Sequence, residues 1–189
     1  MPVYALLLVW GALAVAAGAA GWVADSPVPP PAIAAGLIAA WLVAYRVSER
    51  MKGWVRAVPL SALIAIHLVR FVGAWFIALY RRGELPFEFA VPGGWGDILA
   101  AAGAGALLVG AIPARTRGRR GAVLAWNVLG VLDILYVLVT AARLFVADPT
   151  QLTPLTRLPL SLLPTYFVPL VVLSHLRIFG WLRETRSRP

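Results

Sequence analysis

Cysteine is absent, and its absence removes a disulfide framework, a thiolate metal site and thiol redox chemistry at once. Histidine is nearly absent: His67 and His175 are the only two in 189 residues, so they are the only strong nitrogen ligands available to a metal. Charge is scarce as well, at 13% of residues against the roughly 25% of a soluble domain. No phosphate-binding glycine loop, dinucleotide fingerprint, zinc-protease signature or nucleophile–base–acid set occurs, which argues against the common soluble enzyme classes.

What is abundant is apolar surface: 61% of the residues are hydrophobic, and they are gathered into long runs. The net charge of +9 sits mostly in short basic clusters between those runs, where the positive-inside rule accounts for it without a nucleic-acid partner. The fold class is therefore an all-α, polytopic transmembrane helix bundle in a lipid bilayer, expected as a single membrane domain over 1–189. A run of about 20 apolar residues crosses a bilayer, and six spans are expected, at 3–23, 32–45, 57–80, 97–112, 121–146 and 159–182. The first run lacks a basic flank and is expected to be a span rather than a signal peptide.

Orientation follows from the loops. Arg46, Arg50, Lys52 and Arg56 follow the second span, Arg115, Arg117, Arg119 and Arg120 follow the fourth, and Arg183, Arg186 and Arg188 end the chain. Both termini are thus expected in the cytoplasm, with the proline turn 27–31, the loop 83–97 and the loop 148–157 outside. The bias to Arg over Lys and the wealth of Ala and Gly point to a GC-rich bacterial genome, and the expected location is the bacterial cytoplasmic (inner) membrane.

Ionisable groups near the middle of a span are rare and costly, so they mark candidate sites. His67, Arg70, Phe71 and Ala74 fall on one face of an α-helical third span and are expected to face protein. Asp133, on the fifth span, lies at a similar depth and is the expected partner of Arg70, either as a helix clamp or as part of a pathway. Asn127 with Gly130 is a packing notch or a ligand contact. Arg143 and Arg177 lie near span ends and are expected to snorkel, without a site role. Pro164 and Pro169 release carbonyls around Leu160 and Thr165 and should kink the sixth span. Four glycines and two prolines in 83–97 argue against a regular helix there; an apolar loop dipping back into the bundle as a lid is expected, with Asp97 as the N-cap of the fourth span.

The phrase GELPFEFAVPGGWGD, preceded by HLVRFVGAWF and followed by WNVLGVLD and LLPTYFVPLVVLSHL, resembles uncharacterised bacterial multi-span membrane proteins with a loop of the form G-x-L-P-x-x-F-A-x-P-x-G-x-G-D. The resemblance covers most of the chain after the second span and implies no activity.

Three functions are compatible with this reading. The sharpest is electron transfer, with His67 and His175 on antiparallel spans as axial metal ligands of one b-type haem, Arg70 at a propionate and a quinone as redox partner. The second is a transporter or channel for a small molecule, ion or proton, with His67, Arg70, Asp133 and His175 lining the pathway. The third is a structural or assembly subunit, in a homo-oligomer or a membrane complex.

Overall fold

Pro30 and Pro31 occupy the first turn of a helix, where a missing proline N–H is one that no intrahelical carbonyl would have claimed. In the computed structural model, which describes residues 2–186, the chain forms α1 (Pro2–Ala19), α2 (Pro30–Val47), α3 (Glu49–Arg56), α4 (Leu60–Ala65), a 3₁₀ segment (Ile66–Val72), α5 (Gly73–Arg81), α6 (Phe87–Gly110), α7 (Arg117–Ala147) and α8 (Val168–Arg186). A 3₁₀ turn at Pro149–Thr156 and a π-helical segment at Leu163–Phe167 join the last two, and no strand occurs among the described residues. Arg188 of the C-terminal basic cluster lies outside the described residues.

Among the described residues five helices are long and apolar enough to cross a membrane: Pro30–Val47, Leu60–Arg81, Phe87–Gly110, Arg117–Ala147 and Leu163–Thr185. This is the all-helical, multi-pass architecture that the apolar runs require. The first apolar run forms the shorter helix Val3–Ala19 rather than one reaching residue 23, because the chain turns at Gly21, whose φ of 77° suits glycine. The chain divides into two compact units, Met1–Ala57 with Leu138–Leu170, and Val58–Val137 with Val171–Pro189.

The first unit shows how the prolines of the last span are accommodated. Pro169 has no N–H to offer the Thr165 carbonyl, and the indole Nε1 of Trp10 donates to that carbonyl instead, at 2.9 Å. Pro164 likewise leaves the Leu160 carbonyl, which accepts from Leu163 N in a tighter turn at 3.0 Å. Trp10 is seated between Trp41 and Tyr166, with ring centroids 5.2 and 5.0 Å away. Trp10→Phe keeps most of the ring contact and removes the donor, so it is expected to lower stability by about 1 kcal/mol. Pro169→Ala restores a backbone donor to Thr165 and should shrink that cost; thermal unfolding of the two single variants and the double variant in detergent measures the coupling.

The second unit positions the site. Along Leu60–Arg81 the buried residues His67, Arg70, Gly73, Phe76 and Leu79 recur every three positions. The 3₁₀ segment, with three residues per turn, brings i and i+3 into register, whereas Phe71 is half exposed and Ala74 is exposed. The face predicted from α-helical spacing is thus corrected: His67 and Arg70 do share it, but Phe71 and Ala74 do not. α5 ends in paired bonds from Gly83 N to Tyr80 O and Glu84 N to Leu79 O, with Gly83 at φ 73°, which turns the chain after one short connection.

The stretch expected to be a lid loop is helix. α6 begins at Phe87 after Pro86 and runs through Pro92, Gly93, Gly94 and Gly96. Asp97 is therefore not an N-cap; it lies near the middle of α6 and is buried. The helix-breaking residues are tolerated because they are packing positions. The backbones of Gly73 and Gly94 touch, and a Cβ on Gly94 would stand 2.7 Å from the Gly73 carbonyl oxygen. Buried Phe89, Ala90, Gly93, Gly94, Asp97, Ala100, Ala101, Ala104 and Leu107 trace one 3.6-residue stripe, so tertiary packing outweighs local propensity here.

Candidate functional site

Arg70, Asp97, Asp133 and His175 each fall near the middle of their own span in the second unit. The Arg70 guanidinium is 3% exposed and fully engaged. Nε donates to Asp97 Oδ1 at 2.7 Å, Nη1 donates to the Gly130 carbonyl at 3.3 Å, and Nη2 donates to Asp133 Oδ2. The expected Arg70–Asp133 pair is present, and Asp97 is a second carboxylate on the same cation. Sequence reasoning puts Asp97 at a helix end because glycine and proline surround it; the signal that could have found it is its charge within a long apolar stretch.

Glycines make the room for this cluster. A Cβ on Gly96 would collide with the Asp133 carboxylate, so Asp133 lies over bare backbone of α6. A Cβ on Gly130 would stand 2.6 Å from His175 Cε1, so the imidazole rests against α7 at the residue whose carbonyl holds Arg70.

The two histidines meet, as their depths on antiparallel spans predict. His67 and His175 are 0% and 1% exposed, and their ring centroids are 4.3 Å apart at an interplanar angle of 56°. Trp126 flanks both rings, at 4.8 Å from His67 and 5.8 Å from His175, and its Nε1 donates to the Ala100 carbonyl at 2.9 Å.

Hydrogen bonds assign the tautomers. Asn127 Nδ2 donates to the His175 carbonyl at 3.2 Å, which turns its Oδ1 to His175 Nδ1 at 2.8 Å; Nδ1 therefore carries the proton and Nε2 is a bare lone pair. Asn127 acts as a clamp on His175 rather than only as a packing notch. The Ser174 hydroxyl gives its hydrogen to the Val171 carbonyl at 2.8 Å, so His67 Nε2, 2.8 Å from Oγ, donates to Ser174 and Nδ1 is bare. The two bare nitrogens, His67 Nδ1 and His175 Nε2, are buried without a hydrogen-bond partner. Ser174 is not legible as a site residue in the sequence, because a serine one turn from its own carbonyl partner is common in membrane helices. Arg177 is paired with Glu184, Nη1 and Nη2 each 3.2 Å from a carboxylate oxygen, and takes no part in the cluster.

A haem does not fit between these rings as they stand. Axial bonds of about 2 Å on each side of an iron set imidazole centroids about 6 Å apart with a macrocycle between them, well beyond the 4.3 Å seen here. Among the described residues no group of three or more His, Asp or Glu is placed to hold a metal ion.

A family model described as a domain of unknown function (DUF8737) matches residues 28–183. No curated protein and no solved structure matches the chain.

Proposed function

The chain belongs to the DUF8737 family, and since that description carries no activity we propose a function from the site: a multi-pass membrane transporter or channel that moves a small ion or solute by way of Arg70, Asp97, Asp133 and the adjoining histidines. The observation that carries this reading is the second carboxylate. A structural clamp needs one acid for one guanidinium, and a buried charge beyond that pairing costs several kcal/mol unless something else compensates it. Holding Asp97 and Asp133 on one Arg70, beside two imidazoles with unpartnered nitrogens, is more polar machinery than helix packing requires.

The basic loops support insertion with both termini in the cytoplasm of a bacterial cell. Electron transfer through a haem finds support only in the nearness of the two histidines, and the ring spacing weighs against it.

Purified protein reconstituted into liposomes, with a pH-sensitive or sodium-sensitive dye inside and an imposed membrane potential, tests transport directly. Flux above that of protein-free vesicles is expected, falling to the protein-free level in Asp133→Asn and unchanged in Gly36→Ala, which has nothing within 4 Å of an added Cβ. Vesicles indistinguishable from protein-free ones for both ions would remove the support for an ion pathway. A Soret absorption band in protein purified after growth with ample haem would return the weight to electron transfer.

A further inference from the structure

We infer that the species this site takes up is a single proton, held at Asp133, with Asp97 serving as the standing counter-ion of Arg70. The inference rests on the transport reading above and names its ion.

One guanidinium and two carboxylates leave the cluster at −1, with each histidine in the neutral form that burial favours and its proton on the nitrogen facing Asn127 or Ser174. The groups facing Asp133 are Arg70 from the 3₁₀ segment, Asp97 from α6 and, across Gly130, His175 from α8; the remaining basic group nearby on α8, Arg177, is spent on Glu184. One monovalent cation therefore restores neutrality, and a proton on Asp133 leaves Arg70 and Asp97 as a balanced ion pair.

The two carboxylates are not equivalent. The Asp97 side chain is 7% exposed, packs against Gly73 and accepts from Arg70 Nε at 2.7 Å, within the usual hydrogen-bond range. The Asp133 side chain is 18% exposed and lies over the bare backbone of Gly96, so it is the carboxylate of the pair that an ion reaches first from outside the cluster. A second observation points to the same place. His175 Nε2, buried and without a donor, rests against Gly130, whose carbonyl accepts from Arg70 Nη1; Gly130 is three residues before Asp133 and so shares its face of α7. The site thus has an unpartnered acceptor against the helical turn that precedes Asp133.

Infrared difference spectroscopy of the full chain in nanodiscs reads a protonated carboxyl through its C=O stretch. A carboxylic band is expected in the wild type, disappearing as pH is raised. It should be lost in Asp133→Asn, shifted in frequency in Asp133→Glu and left at its wild-type frequency in Asp97→Glu, which keeps the charge of the cluster. A band that shifts in Asp97→Glu but not in Asp133→Glu overturns the assignment, as does a band that sodium chloride abolishes at constant pH, which would make sodium the ion. Vesicles that carry ion flux from a protein with no carboxylic band would also overturn it while leaving transport standing. A band assigned to Asp133 in a protein without flux would uphold the assignment and defeat the transport reading.

Discussion

Arg70→Met is expected to destabilise the protein by about 3–5 kcal/mol, because it leaves buried Asp97 and partly buried Asp133 beside each other with no cation. Three bonds disappear together: to Asp97, to Asp133 and to the Gly130 carbonyl. The physical cost lies in the abandoned charges more than in the lost bonds, since a carboxylate that has lost its partner in a membrane interior must either carry uncompensated charge or take a proton. Neutralising the abandoned groups should therefore recover most of the loss. The triple variant Arg70→Met, Asp97→Asn, Asp133→Asn is expected to unfold closer to the wild type than Arg70→Met alone, in thermal or denaturant unfolding in detergent. A triple variant as unstable as the single one would show that Arg70 contributes through shape rather than charge.

The second large effect is expected at Gly73. An alanine there directs its Cβ into the Gly94 carbonyl oxygen, a backbone atom that no side-chain rotation can move, and onto Asp97 Cβ at 2.8 Å. α5 and α6 must separate, which also pulls Asp97 from Arg70 Nε. Gly73→Ala is expected to cost about 3 kcal/mol, toward the upper end of overpacking penalties, and to lower the yield of folded protein. Gly36→Ala serves as the control. It sits in the interior of α2 with open space around it, and alanine there should be neutral or stabilise by up to about 1 kcal/mol through helix propensity. Melting temperatures of the two variants, compared with the wild type in the same detergent, measure the contrast; equal values would mean that the close approach of the two backbones is not holding the helices together.

Much of the site is legible in the amino-acid sequence. Arg70 and Asp133 pair on the strength of their depth alone, because two opposite charges in hydrocarbon have few other solutions. The similar depth of His67 and His175 on oppositely directed spans brings them together, and they do meet. Prolines four residues further on identify the carbonyls of Leu160 and Thr165 as free, and both are found with substitute donors.

Other parts are misread for identifiable reasons. Asp97 resembles a helix cap because Pro92 and three neighbouring glycines read locally as a loop, yet α6 runs straight through them. α-Helical spacing puts Phe71 and Ala74 on the buried face of the third span, whereas 3₁₀ winding turns them away. The contact between the imidazoles follows from their depth, but not their spacing, which weighs against a macrocycle between them.

The amino-acid sequence by itself determined the helical class, the apolar runs, the charges placed at mid-membrane depth and the carbonyls left free by proline. These are properties of single residues and their immediate neighbours: transfer free energy, covalent geometry and the absence of a donor do not depend on what lies across the bundle. Only the tertiary structure decided that Asp97 joins Asp133 on Arg70, that a glycine- and proline-rich stretch is a helix, and which nitrogen of each imidazole is bare. Each of those depends on how closely another segment approaches, at Gly73 with Gly94, at Gly96 with Asp133 and at Gly130 with His175, and a missing side chain shows its purpose only once the atom that occupies its place is known.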